Sequence, residues 1–333
     1  MTEILILMPS SHQALAITPE ALGRLKSSGR VSVAPTATDH LRADVRELLA
    51  TAEIVLTGTG TAELTNEVLD VAPRLRAIVH AAGTVRPIVG EDVYDRGIQI
   101  SSQSPTNALP VAEYTLAMIL LELKGVRAIE NIYRAARAEV DVDGLLRDKG
   151  AYQRRVGIIS ASSIGRRMIE LLRPFDLEVV VYDPYLTTEE AQTLGVTSVD
   201  LDTLLESSDL VSIHAPLLPQ TRGMIGAREL SLLRDGAVVI NTSRGAIVDQ
   251  DAFARELQTG RIRAVIDVTD PEVPTASSPL WTLDNVVLTP HVAGSRGLEL
   301  HRIGDRAVDE VQRFARGDEL EFAVTRTRYA TNA

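Results

Sequence analysis

The stretch RRVGIISASSIGRRMIELLRPFDLEVVVYDPY, from Arg154 to Tyr185, predicts a strand, a tight turn, a helix and a second strand. Its apolar run from Val156 to Ile159 is typical of a buried strand, and the run from Val179 to Tyr182 ends directly on Asp183. This order is that of the unit that binds a dinucleotide across the ends of parallel strands. In such a unit the helix N-terminus faces the pyrophosphate, and a carboxylate placed like Asp183 accepts from the ribose hydroxyls.

The turn itself departs from the glycine-rich pattern of that unit. Where Gly-x-Gly-x-x-Gly is expected, the chain has SASSIG from Ser160 to Gly165, so only the third glycine is present. The first two glycines normally permit the tight turn and the close approach of phosphates, and the third lets the helix pack against the strand. By itself this turn is compatible with a dinucleotide site and equally with an ordinary crossover between two strands.

Size and composition narrow the class of protein. With 333 residues, the chain exceeds one typical core, which predicts two domains. The longest strongly apolar run, Leu116 to Leu121, is too short to span a bilayer, and MTEILILMPS lacks the features of a secretory signal. The absence of cysteine excludes disulfides and thiolate chemistry, and a net charge of −11 argues against a nucleic-acid surface. We therefore expect a globular cytoplasmic protein with no nucleic-acid or membrane partner.

Residues 1–101 alternate apolar strands with helices, which predicts a mostly parallel sheet covered on both faces. The predicted strands are Ile4 to Met8, Val31 to Ala34, Ile54 to Thr57, Ala77 to Ala81 and Ile98 to Ser101, and the predicted helices are Pro19 to Ser27, Asp39 to Thr51 and Asn66 to Val71. Small-residue loops follow two of these strands, at Thr57 to Gly60 and at Ala81 to Thr84. Ligands bind at such strand ends.

A largely apolar helix is predicted from Pro110 to Leu123, followed by a charged, irregular stretch to Lys149. Because a helix that is apolar on most faces must be buried, we expect it to cross between domains or to pack on a second subunit. A second alternation then predicts a doubly wound domain, with strands at Val156 to Ile159, Val179 to Tyr182, Leu210 to His214, Val238 to Asn241, Ala264 to Val268 and Val286 to Leu288. A long helix from Leu298 to Arg316 and a polar tail follow.

Three charged side chains follow predicted strands of the second alternation. Arg244 lies in NTSRGAIVD, Glu272 in DVTDPE and His291 in TPHVAG. Because parallel strands end at one edge of a sheet, these side chains are expected to converge on one cleft. A guanidinium holds a carboxylate through two hydrogen bonds, a histidine moves a proton near neutral pH, and a glutamate fixes its tautomer and raises its pKa. This set is suited to binding a 2-oxo or 2-hydroxy acid and protonating its carbonyl oxygen.

With these motifs the chain resembles the D-isomer-specific 2-hydroxyacid dehydrogenases, the family of phosphoglycerate dehydrogenases and of glycerate and glyoxylate/hydroxypyruvate reductases. The resemblance covers nearly the whole length. It rests on AAGT at Ala81 to Thr84, NALPVAE at Asn107 to Glu113, NTSRG at Asn241 to Gly245, the Asp267 to Glu272 segment, PLW at Pro279 to Trp281 and TPH at Thr289 to His291. The departures lie in the turn, where serines replace two glycines and, at Ser163, an arginine.

The resemblance implies an α/β fold of two doubly wound parallel-sheet domains. A Rossmann NAD-binding domain, residues 103–296, would be inserted in a flavodoxin-like substrate domain formed by residues 1–102 and 297–333. It also implies an NAD-dependent oxidoreductase that interconverts a small D-2-hydroxy acid and its 2-oxo acid. Homodimers would form through the helix at Pro110 to Leu123.

The resemblance also assigns roles to residues. Arg244 would clamp the substrate, His291 would be the acid/base and Glu272 would orient it, while backbone N–H groups at Ala82 and Gly83 would meet the substrate carboxylate. The implied cofactor-binding residues are Ser162, Ser163, Ile164, Gly165, Asp183, Pro184, His214, Ala215, Pro216, Thr221, Thr242, Ser243, Asp267, His291 and Gly294. NAD is expected over NADP, because Asp183 would repel a 2′-phosphate and Pro184 to Glu190 contains no Lys or Arg. No cluster has the spacing of a metal site.

Two other functions agree less well with these residues. A non-catalytic dinucleotide-sensing or corepressor-like protein on this fold is compatible with the altered turn, and the Arg-Glu-His set opposes it. Formate dehydrogenase is disfavoured, because that branch has glutamine at the position of Glu272.

We expect surface positions for His12, His40 and His301, a hydrogen-bonded core position for His80, and either a core or an adenosine-side position for His214. Arg86 is either a surface residue or a ligand of a second anionic group.

Overall fold

The computed structural model describes residues 1–331. The chain forms two compact units, one of Met1–Ala108 together with the chain from Ser295 onward, the other of Leu109–Gly294. The first division therefore lies six residues beyond the predicted one. Residues 103–108 belong to the first unit, because Ser104 Oγ donates to Gly83 O (2.8 Å) and the Ser295 N–H donates to Asn107 Oδ1 (2.8 Å). Among the described residues, no helix is long and apolar enough to cross a membrane.

The first unit is built on a five-stranded parallel sheet of order β2-β1-β3-β4-β5, the flavodoxin-like order that was predicted. Its elements are β1 (Thr2–Leu7), α1 (Ser10–Ala16), α2 (Pro19–Ser28), β2 (Gly29–Val33), α3 (Ala43–Thr51), β3 (Ile54–Gly58), α4 (Asn66–Asp70), β4 (Ala77–Ala81) and β5 (Gln99–Ser102). Strands β3 and β4 are buried throughout, as expected of strands covered on both faces. Helix α2 starts at Pro19 because Thr18 caps it, accepting from the Ala21 N–H at 3.1 Å.

The second unit contains a seven-stranded parallel sheet of order β12-β11-β10-β9-β6-β7-β8. Its helices are α5 (Ser104–Lys124, whose first residues lie in the first unit), α6 (Val126–Ala136), α7 (Val142–Leu145), α8 (Ser163–Leu172), α9 (Thr188–Leu194), α10 (Leu201–Ser207), α11 (Ala227–Leu232) and α12 (Gln250–Gln258). Its strands are β6 (Arg154–Ile159), β7 (Leu177–Tyr182), β8 (Thr197–Ser198), β9 (Leu210–Ile213), β10 (Val238–Asn241), β11 (Arg263–Ile266) and β12 (Val286–Leu288). The order reverses between β6 and β9, the switch point of a Rossmann sheet.

The stretch between α5 and β6 corrects one prediction. It was expected to be irregular up to Lys149, but it forms α6 and α7. Helix α6 has apolar residues at Val126, Ile129 and Tyr133, at helical spacing, and a Glu130–Arg134 ion pair (2.7 Å) one turn apart supports it. None of its residues is buried, so its apolar stripe lies at the surface of its unit.

Helices α13 (Glu299–Arg316) and α14 (Arg326–Thr331) complete the first unit. The buried face of α13 joins the core of the first sheet, where Val308 and Val311 share a cluster with Ile4 and Val79. The segment that follows is not a loose polar tail. Glu310 is 1% exposed and its carboxylate accepts from the backbone N–H groups of two residues of that segment, and Ala323 bridges to β5.

Candidate functional site

The predicted cofactor residues of the second unit follow the carboxyl ends of six of its strands. The loops after β6, β7, β9, β10, β11 and β12 carry, in that order, the serine turn, Asp183, His214 to Thr221, Thr242 to Arg244, Asp267 to Glu272, and Thr289 to Gly294. Since all these strands are parallel, their loops lie along one edge of the sheet. This edge contains the switch point between β6 and β9, where doubly wound sheets bind ligands.

The serine turn is held by the carboxylate that follows β7. Ser160 has a φ of 78°, in the left-handed region that glycine occupies without cost. Asp183 Oδ2 accepts from Ser160 Oγ (3.1 Å) and from the Ala161 N–H (2.8 Å), while Oδ1 accepts from the Tyr185 N–H (2.8 Å). The turn therefore keeps the backbone shape that a first glycine would give, with Asp183 as its brace.

Ser162 is the N-cap of α8, a role that the sequence did not suggest. Its hydroxyl accepts from the Gly165 N–H (3.3 Å) and donates to His214 O (2.8 Å). A Cβ on Gly165 would lie 2.0 Å from Ser160 O, so the third glycine is required for the close approach of helix and turn. The N–H groups of Ser163 and Ile164 make no hydrogen bond within the described chain and lie at the positive end of the helix dipole. These donors are suited to a pyrophosphate.

Arg166 does not add an unpaired charge to this turn. Its Nε donates to Ala161 O (3.0 Å) and its Nη2 donates to Glu190 Oε1 (2.9 Å). The turn is thus braced on both sides, by Asp183 and by Arg166.

The loop after β9 is positioned by its own polar groups. The imidazole of His214 is buried, and its Nε2 lies 3.0 Å from Ser212 Oγ. Burial lowers the pKa of His214 to about 3, so this ring is neutral at physiological pH. The side chain therefore takes the core position, and only the backbone of His214 reaches the turn, through its carbonyl. Thr221 Oγ1 closes the loop, accepting from the Leu218 N–H (2.8 Å) and donating to Pro216 O (2.6 Å), next to the buried Ala215.

Arg244 follows β10, in a loop that is held in place by side-chain contacts of Thr242 and Ser243. Thr242 Oγ1 lies 3.1 Å from Thr115 Oγ1, and Ser243 Oγ donates to Ile213 O (3.0 Å). The Arg244 guanidinium donates from Nη1 to Ser243 O (2.7 Å). Burial lowers the pKa of Arg244 and the nearby Glu272 carboxylate opposes this shift, which leaves a cation with a reduced water shell at the edge of the sheet.

Glu272 and His291 are in direct contact at this edge, with Glu272 Oε1 at 2.6 Å from His291 Nδ1. Gly245 lets the Glu272 loop approach Arg244, because a Cβ there would lie 2.1 Å from the Thr269 carbonyl carbon. His291 has a φ of 54° and its N–H donates to Asp267 O (2.9 Å). A non-glycine residue in this region is held by its surroundings and is typical of functional positions.

Asp267 holds the His291 loop. Its carboxylate is 2% exposed, Oδ1 accepts from Thr289 Oγ1 (2.6 Å) and the Val292 N–H (2.8 Å), and Oδ2 accepts from the Ala293 N–H (2.9 Å). Since each oxygen has two lone pairs, Oδ2 retains one acceptor position. Gly294 ends this loop and is half-buried.

The predicted substrate loop of the first unit follows β4. Three successive carbonyls are held from within the unit: Ala81 O accepts from His12 Nε2 (3.1 Å), Ala82 O from the Gln103 N–H (2.9 Å) and Gly83 O from Ser104 Oγ (2.8 Å). The N–H groups of Ala82 and Gly83 make no hydrogen bond within the described chain, and both residues are half-buried. Backbone donors arranged in this way are suited to a carboxylate.

The structure corrects several single-residue predictions. His12 and His40 were expected at the surface but are 9% and 4% exposed, because each donates from Nε2 to a backbone carbonyl of a loop. His301 is half-buried. His80 has the predicted core position, with Nδ1 at 2.9 Å from Thr57 Oγ1. Arg86 donates to the carbonyls of Tyr329 (2.9 Å) and Ala330 (3.2 Å) near the end of α14, so its charge is already engaged.

Comparison with known proteins identifies related sequences and structures. Residues 116–293 match the family described as D-isomer specific 2-hydroxyacid dehydrogenase, NAD binding domain. The D-3-phosphoglycerate dehydrogenase of Methanocaldococcus jannaschii is 28% identical over 97% of this chain. The glyoxylate reductase of Korarchaeum cryptofilum is 30% identical over 76% of this chain and 76% of its own length.

The chain spans 59% of the phosphoglycerate dehydrogenase of M. jannaschii and 49% of that of Archaeoglobus fulgidus, about half the length of these relatives. The D-lactate dehydrogenase of Aquifex aeolicus, solved with NAD and lactic acid, is similar with a TM-score of 0.73 at 27% identity. That match covers 95% of this chain and 96% of the solved one.

Proposed function

Because the chain belongs to the D-isomer-specific 2-hydroxyacid dehydrogenase family, we propose that it is an NAD(H)-dependent oxidoreductase interconverting a small D-2-hydroxy acid and its 2-oxo acid. The observation that carries the proposal is the 2.6 Å contact between Glu272 Oε1 and His291 Nδ1, at the edge of the sheet that also bears Arg244. A dinucleotide-sensing protein has no need of an oriented acid/base, whereas proton transfer to a carbonyl oxygen requires one.

His291 is the proton donor in this proposal. A carboxylate can only accept, so the Glu272 contact fixes the proton of His291 on Nδ1 and leaves Nε2 as the atom that exchanges a proton with substrate. Glu272 also stabilises the imidazolium that exists before the proton is given to the oxo group. A nicotinamide cofactor, when bound, would supply or accept the hydride.

Arg244 binds the anionic substrate. Its guanidinium is partly dehydrated, which strengthens its attraction to a carboxylate and to an oxo group that becomes negative as the reaction proceeds. The N–H groups of Ala82 and Gly83 are proposed as further donors to the substrate carboxylate, since their peptide carbonyls are already held by the protein.

The cofactor would be held by the N-terminus of α8, by Asp183 and by the loops after β9, β10 and β12. The remaining acceptor position of Asp183 Oδ1 is suited to a ribose hydroxyl, and that of Asp267 Oδ2 to an amide N–H. NAD is preferred over NADP in this proposal, because Asp183 would repel a 2′-phosphate and the nearby Arg166 is already paired with Glu190.

We also propose a homodimer and a cytoplasmic location. The apolar stripe of α6, with Val126, Ile129 and Tyr133, borders an open groove shared with Val140 and Val142. A second copy of this chain offers the same stripe, and a twofold axis would bury both. The helix predicted to mediate dimers, α5, buries Ile119 and Leu123 in the core of its own unit and leaves Leu121 exposed.

A substrate panel tests the proposal. The full chain is mixed with NADH or NADPH and with glyoxylate, hydroxypyruvate, pyruvate or phosphohydroxypyruvate, and the absorbance of the reduced nicotinamide is followed. We expect turnover of at least one acid with NADH, at a higher kcat/KM than with NADPH. If no 2-oxo acid or D-2-hydroxy acid is converted, the proposed activity is wrong.

A further inference from the structure

His12 occupies an unexpected position beside the substrate loop. It lies on α1, directly after β1, and its Nε2 is 3.1 Å from Ala81 O at the end of β4. A carbonyl oxygen can only accept, so Nε2 carries the proton. Burial lowers the pKa of His12, which keeps the ring neutral at physiological pH with Nδ1 unprotonated.

The intervening strand makes room for this contact. Gly58 is the last residue of β3, and a Cβ on it would lie 2.4 Å from Cδ2 and 2.9 Å from Nε2 of His12. The His12 imidazole therefore packs against the backbone of β3, the strand that lies between β1 and β4 in the sheet. The strand order of the first sheet reverses between β1 and β3, so His12 crosses the switch point of that sheet, where ligands bind.

Peptide geometry links this contact to the neighbouring donor. The carbonyl of Ala81 and the N–H of Ala82 belong to one planar peptide and point in opposite directions. A donor that fixes the carbonyl therefore fixes the direction of the N–H. The next two peptides are fixed in the same way, by the Gln103 N–H and by Ser104 Oγ, so His12 is the anchor of the first donor of the loop.

We infer that His12 is a positioning residue for substrate recognition, which holds the Ala82 N–H toward the substrate carboxylate through the Ala81 carbonyl. This inference rests on the proposed function, because it takes the carboxylate of a 2-oxo acid as the ligand of the loop. His12 touches neither substrate nor cofactor in this role. Gly58 is part of this arrangement, because any side chain at position 58 would displace the His12 imidazole.

Two substitutions of His12 separate its hydrogen bond from its bulk. His12→Leu removes the donor, whereas His12→Gln retains an amide N–H at the reach of Nε2. The matched control is His40→Leu, because His40 is also buried and also donates from Nε2 to a loop carbonyl, that of Ala62 (2.9 Å). Steady-state kinetics with the best 2-oxo acid of the panel, NADH dissociation constants and thermal midpoints are measured for the three variants and the wild type.

We expect His12→Leu to raise KM for the 2-oxo acid roughly tenfold, the scale of a misdirected hydrogen bond to a charged group. The value of kcat should stay within about twofold, because the same bond is made in the ground state and in the transition state. His12→Gln should lie within about threefold of the wild type, and His40→Leu should lower the thermal midpoint without changing KM. An unchanged KM in His12→Leu, or an equal rise in His40→Leu, overturns the inference.

Hydrogen exchange tests the same point without catalysis. The Gln103 N–H is buried and donates to Ala82 O in the loop (2.9 Å) and to His80 O in β4 (3.2 Å), so its exchange reports the order of the loop and of the strand end before it. Exchange of the segment containing Gln103 should be faster in His12→Leu than in the wild type and unchanged in His12→Gln. Equal rates in His12→Leu and the wild type contradict the positioning role, even if no 2-oxo acid is turned over and the proposed activity has failed.

Discussion

The hydroxyl of Ser160 lies 3.1 Å from Asp183 Oδ2, and this bond joins the turn after β6 to the carboxylate after β7. Together with the Ala161 N–H, it fills both acceptor positions of that oxygen. Ser160 thus keeps the backbone shape expected of the absent first glycine. In the proposed function, its hydroxyl also occupies an acceptor position of Asp183 that a ribose hydroxyl could otherwise use.

Ser160→Gly should therefore tighten NADH binding. The substitution removes the Ser160 hydroxyl and so frees one acceptor position of Asp183 Oδ2, which still accepts from the Ala161 N–H. We expect the dissociation constant from a fluorescence titration to fall about three- to tenfold. Ser162→Gly is the control and should weaken binding, because the Ser162 hydroxyl caps α8. Equal or weaker binding by Ser160→Gly would mean that its hydroxyl is itself a cofactor ligand.

His291→Ala should lower kcat by roughly 10²- to 10⁴-fold, the range for loss of a positioned proton donor, with little change in NADH binding. Glu272→Gln should reduce kcat less, since His291 stays in place but loses the carboxylate that contacts its Nδ1. Both effects are read from steady-state kinetics at saturating NADH. Wild-type turnover by His291→Ala would exclude this residue as the acid/base.

Arg244→Lys should raise KM for the 2-oxo acid and lower kcat, each by about tenfold or more. An ammonium cannot make the two parallel hydrogen bonds of a guanidinium, and it is more costly to dehydrate at this partly buried position. NADH affinity measured separately should remain close to that of the wild type. Identical kinetic constants for the lysine variant would rule out two-point binding by Arg244.

Stability should fall on acidification below about pH 6.5, the ordinary value for histidine. Burial, with a contribution from nearby His12, lowers the pKa of His80 to about 4, and burial lowers that of His214 to about 3. Between pH 6.5 and these lowered pKa values, the two histidines bind protons in the unfolded chain but not in the folded chain, so protonation favours unfolding. Thermal midpoints should decline from pH 6.5 to 4, and less steeply in His80→Gln. Midpoints that stay constant over this range would contradict the buried neutral state.

Ile132→Glu should convert the proposed homodimer into a monomer, because it places a charge beside the apolar stripe of α6. Light scattering after size-exclusion chromatography gives the mass directly. Leu15→Glu is the control, since Leu15 is also an exposed apolar side chain but belongs to α1 in the first unit. A wild-type chain that is monomeric at micromolar concentration would refute the dimer.

Eleven of the twelve strands in the described residues could be predicted because their signals are local, and the two-residue β8 (Thr197–Ser198) was missed. The runs at Val238–Asn241 and Val286–Leu288 are short, apolar and bounded by turn residues, and both have the predicted bounds. The convergence of Arg244, Glu272 and His291 on one edge follows from parallel strand ends. Helix α6 was missed because its charges were taken as a sign of irregular structure, although its apolar spacing was available.

The remaining features depend on contacts between distant parts of the chain. His12 has polar neighbours in sequence, and its burial is caused by Gly58 and Ala81, which only the folded sheet brings beside it. The brace between Ser160 and Asp183 depends on a backbone angle that no residue pattern specifies. The sequence signal for the burial of His12 was its position shortly after β1, in a sheet whose strands β3 and β4 are followed by small-residue loops.

The inserted arrangement of the two units also orders their biosynthesis. The second unit is one uninterrupted segment, Leu109–Gly294, so every strand of its sheet has been synthesised before α13 exists. The first sheet, in contrast, shares its core with Val308 and Val311 of α13 and leaves Ile4 and Val79 without that cover until the helix is made. During translation the second unit is therefore able to fold before the first unit. The first unit cannot complete its core until α13 has been synthesised.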